Sequence, residues 1–210
     1  MGLYIDSAKI EDVEQAVALG FIAGVTTNPT LMARVTEPPK DVIRCICEIS
    51  PGAVFYQVTG ATLEERERIG REFFALCPDK IVLKIPATTE NMALIDLLAD
   101  EIPCAATAVY SAAQALVACE AGARFVIPYV NRATRLLGDG CKLVEEMRDV
   151  VDSQESPVEM LAASIKSPEE AVKAILAGAD HLTLPLDILL ALGNHPLSDA
   201  AIAEFEPKQS

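Results

Sequence analysis

The stretch KIVLKIPAT, residues 80–88, predicts a buried β-strand that carries a lysine among its apolar residues. An apolar run at 81–83 precedes Lys84, and Pro86 closes the strand. Lysine is among the residues that are least often fully buried, so the position of Lys84 needs a reason. A structural lysine that extends its amine to water is one explanation, and a chemical role is the other.

The same pattern, a short run rich in Val and Ile followed by an amphipathic, Ala-rich segment, recurs along the chain. Ser111 and Ser167 are predicted to begin two of the intervening helices, and Gly122 and Gly178 to end them. The eight predicted strands are LYIDS (3–7), AGVTTN (23–28), VFYQVT (54–59), IVLKIP (81–86), CAATAVY (104–110), FVIPYVN (125–131), MLAASI (160–165) and HLTLPLD (181–187).

Strictly alternating strands and helices favour an α/β fold with parallel strands joined by crossover helices. Eight units predict a single (β/α)₈ TIM barrel, although the 210 residues are near the low end of its size range. A doubly wound open sheet is the alternative, but it usually has a Gly-rich phosphate loop after its first strand. Because no Pro/Gly/Ser-rich linker divides the chain, we expect one domain over residues 1–210.

The composition excludes several classes of protein. A net charge of −14 without a basic cluster argues against binding to nucleic acid or anionic membranes. No apolar run is long enough for a membrane span. The six cysteines contain no CxxC pair and there are only two histidines, so a metal site is not expected. Reduced core cysteines favour the cytoplasm.

Polar residues concentrate at the carboxyl ends of the predicted strands, where the active sites of eight-fold barrels lie. Strand ends also meet solvent, so for any one of these residues the structural explanation is about as good as the functional one. The candidate site residues are Asp6, Thr26, Asn28, Gln57, Lys84, Thr107, Tyr129, Arg132 and Ser164.

Lys84 is the candidate nucleophile. A free lysine has a pKa near ~10.4, and burial lowers it by penalising the charged form. A neutral amine attacks a carbonyl group and forms a Schiff base, which draws electrons from the adjacent carbon–carbon bond. This electron sink is what an aldolase without a metal ion requires.

Proton transfer and substrate binding need further groups. Tyr129 is the candidate general acid/base, with Gln57 and Thr107 holding a water molecule; core packing is its alternative role. Arg132 suits a phosphate group, or else a surface ion pair.

The hydroxyls of a sugar need hydrogen-bonding partners. Asp6 and Asn28 are candidates, and Asn28 shares a strand face with Thr26 because the two are two residues apart. Asp187 is expected to cap the helix after the last strand.

Six separated motifs resemble the family of small transaldolases and fructose-6-phosphate aldolases, in the same order and over nearly the whole chain. These motifs are GVTTNPTLM (24–32), KIPATTENMALI (84–95), ATAVYSAAQAL (106–116), IPYVNR (127–132), LAASIKSPEEA (161–171) and TLPLD (183–187).

The resemblance implies a (β/α)₈ barrel with its Schiff-base lysine at Lys84, no cofactor, and a homo-oligomer, typically a decamer of two pentamers. It assigns a hydroxyl-binding, carbanion-stabilising acid to Asp6 with Asn28 beside it, and phosphate contacts to Arg132 and Ser164. The substrate implied is a sugar phosphate.

Two positions distinguish the branches of the family, because transaldolases carry Glu on the third strand and Phe on the sixth. Gln57 and Tyr129 are typical of the aldolase branch, which implies reversible cleavage of fructose 6-phosphate to dihydroxyacetone and glyceraldehyde 3-phosphate. A transaldolase, an aldolase or transaldolase for sulfonated sugars, and a catalytically silent binding barrel are the alternatives.

The chain departs from the family at two places. Ile127 stands where the aldolase branch has a small residue, which predicts a narrower donor pocket. The stretch AEFEPKQS (203–210) ends the sequence, whereas the family often continues with a C-terminal helix that reaches a neighbouring subunit.

Overall fold

Eight parallel strands close into a barrel in which each strand pairs with its neighbours in the chain and the first pairs with the last. The computed structural model describes residues 1–205. The closed order of the strands confirms the TIM-barrel prediction, and the open-sheet alternative is wrong. The strands are β1 (Gly2–Asp6), β2 (Ile22–Thr26), β3 (Val54–Gln57), β4 (Ile81–Pro86), β5 (Cys104–Val109), β6 (Phe125–Pro128), β7 (Glu159–Ala162) and β8 (His181–Leu184).

Helices follow every strand and cover the outside of the barrel. They are α1 (Ile10–Val17), α2 (Pro29–Met32), α3 (Pro39–Ile49), α4 (Leu63–Phe74), α5 (Thr89–Leu98), α6 (Ala112–Glu120), α7 (Val130–Leu137), α8 (Gly140–Ser153), α9 (Pro168–Leu176), α10 (Leu186–Ala191) and α11 (Pro196–Phe205).

The predicted start and stop signals are confirmed for two helices. The hydroxyls of Ser111 and Ser167 accept hydrogen bonds from backbone N–H groups in the first turns of α6 and α9. Gly122 and Gly178 follow these helices with φ values of 72° and 101°. That left-handed backbone favours glycine.

All predicted strands except β4 run past their observed carboxyl ends, and β6, β7 and β8 do so by three residues. β6 ends at Pro128, and Tyr129 is the residue before α7. β8 ends at Leu184, and Pro185 precedes α10. At these points the chain turns over the rim of the barrel and enters α7 and α10. Asp187 therefore lies in the first turn of α10, and the prediction that it caps this helix is wrong.

The amino-terminal end of the barrel interior is filled by aromatic rings. Tyr4, Phe55, Phe125 and His181 are buried and meet edge to face, with ring centroids 5.1–6.1 Å apart. Alternate residues point outward and pack against the helices. The floor of the barrel is thus closed by packed side chains.

No helix within residues 1–205 is long and apolar enough to cross a membrane. The end of the AEFEPKQS stretch, residues 206–210, lies outside the described residues, as do the last five residues of the predicted domain. The earlier part of that stretch belongs to α11.

Candidate active site

A polar layer lies above the aromatic floor, toward the carboxyl ends of the strands. Side chains two residues apart on a strand point the same way, so the residues two positions beyond the floor also face the interior. The backbone pairs Asp6 with Thr26 and Gln57 with Lys84 in neighbouring strands. The polar members of this layer are Asp6, Thr26, Gln57, Lys84, Thr107 and Thr183.

Lys84 is buried in the middle of this layer, with 2% of its surface exposed. Its Nζ donates a hydrogen bond to the backbone carbonyl of Thr27, at 3.0 Å. Burial lowers the pKa of Lys84, and the negative charge of Asp6 partly opposes this change. Lys84 therefore does not extend its amine to water, and the neutral form of this amine is more favoured than in a free lysine.

Asp6 lies at the end of a short chain of hydroxyl groups. Thr26 Oγ1 donates to Asp6 Oδ1 at 2.8 Å, and Thr183 Oγ1 lies 2.5 Å from Thr26 Oγ1. Both threonines are buried, with 0% and 2% of their surfaces exposed. The Thr26 side chain therefore contacts Asp6 rather than standing free to bind a ligand.

Tyr129 stands above this layer, at the junction of β6 and α7. Its hydroxyl accepts a hydrogen bond from Thr107 Oγ1 at 3.3 Å. Burial raises the pKa of Tyr129, the Thr107 hydrogen bond lowers it, and the charge of Asp6 raises it. A tyrosine phenol is protonated at neutral pH and burial keeps Tyr129 so, which leaves a proton available for donation.

The Arg132 guanidinium covers the outer side of Tyr129. Its Cζ lies 5.1 Å from the centroid of the tyrosine ring, a cation–π distance. Arg132 is exposed in the first turn of α7, and the preceding residue, Asn131, donates its backbone N–H to the carbonyl of Ser164. Arg132 and Ser164 therefore belong to neighbouring strand ends at one side of the mouth.

Two residues near Tyr129 have a left-handed backbone that is uncommon outside glycine. Ala108 has φ 56° and Ser164 has φ 60°. At Ala108 the register between β5 and β6 shifts, between Thr107 and Val109. Strain of this kind persists where the surrounding structure enforces it, often at functional sites.

Asn28, the second candidate for binding a hydroxyl, lies at the start of α2. Its Oδ1 accepts a hydrogen bond from Leu31 N at 3.0 Å and caps α2. Only the Nδ2 of the amide is then left to donate to a ligand. Asn28 and Gln57 line a cavity of about 250 Å³ beside the barrel mouth.

Sequence reasoning did not single out Thr183 or the carbonyl of Thr27. A signal for Thr183 was present, because it lies two residues after the inward-facing His181 and begins the TLPLD motif. No group of three or more His, Cys, Asp or Glu side chains that could hold a metal ion occurs in the part of the chain that the structure describes.

The fold and this site define the class: a (β/α)₈ barrel with a buried lysine among polar residues at the carboxyl ends of its strands. The profile of the Transaldolase/Fructose-6-phosphate aldolase family matches residues 3–210, so the chain belongs to this family.

Curated relatives agree with this membership. A protein of Hydrogenobaculum sp. is 39% identical over 206 residues, which cover 98% of this chain and 94% of that protein. A protein of Aquifex aeolicus is 36% identical, with the same coverage, and one of Chlorobium limicola is 37% identical over 214 residues. All three are named probable transaldolase.

Among solved structures, mandelate oxidase with (S)-2-phenylpropionate has a TM-score of 0.64 at 14% identity, covering 92% of this chain and 67% of that one. A tyrosine-to-phenylalanine variant of mandelate oxidase with 4-Br-2-hydroxy-methylphenylacetate has a TM-score of 0.62 at 15% identity, covering 91% and 68%. At this level of identity the likeness concerns the barrel fold alone.

Proposed function

We propose that this chain is a Schiff-base aldolase that cleaves fructose 6-phosphate reversibly into dihydroxyacetone and glyceraldehyde 3-phosphate. The observation that carries the proposal is Lys84, an amine buried at the carboxyl end of the barrel whose pKa is lowered by burial. Family membership supports a sugar phosphate as the substrate.

In the proposed reaction, the neutral Nζ of Lys84 attacks the C2 carbonyl of the ketose, and loss of water gives an iminium ion. The Asp6 carboxylate takes the proton of the C4 hydroxyl as the C3–C4 bond breaks. The electron pair of that bond passes into the iminium, which becomes a neutral enamine, and glyceraldehyde 3-phosphate leaves.

The enamine must then regain a proton at C3. Tyr129 is the proposed donor, and its phenol is already hydrogen-bonded to Thr107. The proton taken up by Asp6 then passes to the Tyr129 phenolate through a water molecule that Gln57 and Thr107 hold. Hydrolysis of the resulting imine releases dihydroxyacetone and restores the amine of Lys84.

The phosphate group is assigned to Arg132 and Ser164. Arg132 is exposed and its planar guanidinium suits a phosphate. Ser164 is half-buried at the end of the neighbouring strand. The distance from this phosphate site to Lys84 then determines which carbon of the sugar phosphate reaches the amine.

A transaldolase is the second candidate, because the relatives at 36–39% identity carry that name. Both reactions share every step up to the enamine. They differ in whether the enamine is protonated or attacks a second aldehyde such as erythrose 4-phosphate. Tyr129, a proton donor with a hydroxyl where a phenylalanine would have none, favours protonation.

The deciding experiment is a coupled NADH assay for glyceraldehyde 3-phosphate, with fructose 6-phosphate as the only sugar. Sustained release is expected for the aldolase. A burst of about one product per site, extended by erythrose 4-phosphate, would instead establish the transaldolase. Silence in both assays, together with no borohydride-trapped adduct on Lys84, would refute both candidates. Lys173→Met, at an exposed position of α9, is the matched control for Lys84→Met.

We also propose that the chain forms a homo-oligomer. Several large apolar side chains on α11 are exposed, among them Leu197 (73%), Ile202 (59%) and Phe205 (81%). Exposed apolar faces of this kind are typical of protein–protein contacts. Light scattering coupled to gel filtration gives the mass, and a monomer at micromolar concentration would contradict the proposal.

A further inference from the structure

The chain of hydroxyl groups that ends on Asp6 has a defined direction. An ionised carboxylate only accepts hydrogen bonds, so the single proton of the Thr26 hydroxyl is donated to Asp6. The proton between the two threonines must then come from Thr183. The order is therefore Thr183 to Thr26 to Asp6, from β8 through β2 to β1.

The two threonine hydroxyls of this series are isolated from water. Thr26 and Thr183 are almost wholly buried, and their oxygens are 2.5 Å apart. Water cannot reach this position to replace a hydroxyl that a mutation removes. The buried oxygen that loses its hydrogen bond then costs folding free energy. The two hydroxyl protons therefore have one available arrangement, and Thr26 fixes the position of Oδ1 of the half-buried Asp6 carboxylate.

The orientation of Asp6 matters because its charge acts on both reacting groups. It raises the pKa of Lys84 against the larger effect of burial, and it raises the pKa of Tyr129. Arg132 acts on Tyr129 in the opposite sense. A shift of the Asp6 carboxylate would change its electrostatic interaction with the Lys84 amine, although Lys84 itself would not move.

We propose that Thr183 is a positioning residue of the reaction, which acts through Thr26 to hold the Asp6 carboxylate toward Lys84 and the C4 hydroxyl of the substrate. Thr183 itself makes no contact with the reacting atoms in this proposal. It deepens the proposed function and rests on it for the catalytic part.

The first test is a double-mutant cycle on kcat/KM with Thr183→Val, Thr26→Val and the double variant. Thr183→Val should lower kcat/KM by about fivefold, the contribution of one buried hydrogen bond. Thr26→Val should lower it by about tenfold or more, because its partner is charged. If Thr183 acts only through Thr26, the double variant should match Thr26→Val within about twofold. If the loss of kcat/KM in the double variant instead equals the product of the two single losses, the proposal is overturned.

The second test does not depend on turnover. The rate of reductive methylation of Lys84 by formaldehyde and cyanoborohydride is followed against pH by peptide mass spectrometry. A carboxylate that turns away from Lys84 stabilises its ammonium form less, so the midpoint of the Thr183→Val profile should move to lower pH. Thr183→Ser keeps the hydroxyl and should retain the wild-type midpoint and kcat/KM.

These tests separate the two proposals. A wild-type protein without aldol activity, but with the shifted midpoint in Thr183→Val, would refute the proposed function and leave the positioning role in place. An active wild-type protein with unchanged midpoint and kcat/KM in Thr183→Val would refute the positioning role alone. Thermal melts verify folding, and Thr183→Ala replaces Thr183→Val if the latter does not fold.

Discussion

Replacing Tyr129 with phenylalanine should separate the two halves of the reaction. The only hydrogen bond to its hydroxyl among the described residues comes from Thr107, at a long 3.3 Å. The ring would keep its edge-to-face contact with Tyr110, at 6.0 Å. Tyr129→Phe should therefore cost at most about 1 kcal/mol of folding stability, the net value of one ordinary hydrogen bond.

The expected loss of activity is much larger. A positioned proton donor contributes roughly 10²- to 10⁴-fold, which corresponds to about 3–5 kcal/mol of activation free energy. Formation of the Schiff base and release of the first aldehyde do not need this proton. Tyr129→Phe should therefore give a full burst of glyceraldehyde 3-phosphate, about one per site, and then a steady rate lowered about 10²-fold or more.

A rapid-quench experiment with borohydride, run alongside the coupled NADH assay, measures both phases. The variant should accumulate the enamine on Lys84, which borohydride does not reduce, so the full burst should come without a matching amount of trapped adduct, and erythrose 4-phosphate should restore turnover by consuming the enamine. Loss of the burst together with the steady rate would show that Tyr129 acts before carbon–carbon cleavage, and the reasoning would then be wrong.

Three further predictions concern the lysine, the phosphate and the barrel wall. Lys84→Met should abolish borohydride trapping of the ketose. In the wild-type protein, the trapping rate should rise with pH and level off at a pH below the ordinary pKa of lysine, because burial lowers the pKa of Lys84. Arg132→Ala should raise KM for fructose 6-phosphate by about 10- to 100-fold but leave that for unphosphorylated fructose unchanged, as steady-state kinetics would show. Gly24→Ala should destabilise the fold by about 2 kcal/mol or more in urea denaturation, because its new Cβ would overlap the carbonyl oxygen of Ala53; a stability equal to wild type would contradict the tight β2–β3 contact.

The barrel could be predicted because its eight strands each carry a local signal. β4 was predicted with its observed ends, Ile81–Pro86, since an apolar run and a proline bound it. The carboxyl ends of β6 and β8 could not be predicted, because apolar and aromatic residues continue past Pro128 and Leu184 into helices. What ends these strands is the turn of the chain over the barrel rim, and composition does not record it.

The positions of the candidate side chains could be predicted one by one, but the hydrogen bonds between them could not. Polar residues at strand ends gave Lys84 and Tyr129, whose burial and neighbours the structure now describes. The hydrogen bond between Thr26 and Thr183 joins residues 157 positions apart. A threonine inside an apolar strand looks like any other strand residue, so the sequence gives no local signal for its hydrogen bond to the strand on the other side of β1. Asn28 likewise revealed its capping role only through the position of Leu31.

The aromatic floor closes the barrel below the candidate active site, which therefore opens only at the carboxyl ends of the strands. With Tyr4, Phe55, Phe125 and His181 packed below Lys84, aldehydes have no second exit. In the proposed reaction, the aldehyde produced by cleavage leaves by the passage through which an acceptor enters. In the proposed reaction, the product aldehyde and an acceptor aldehyde should therefore compete for the same enamine-loaded enzyme.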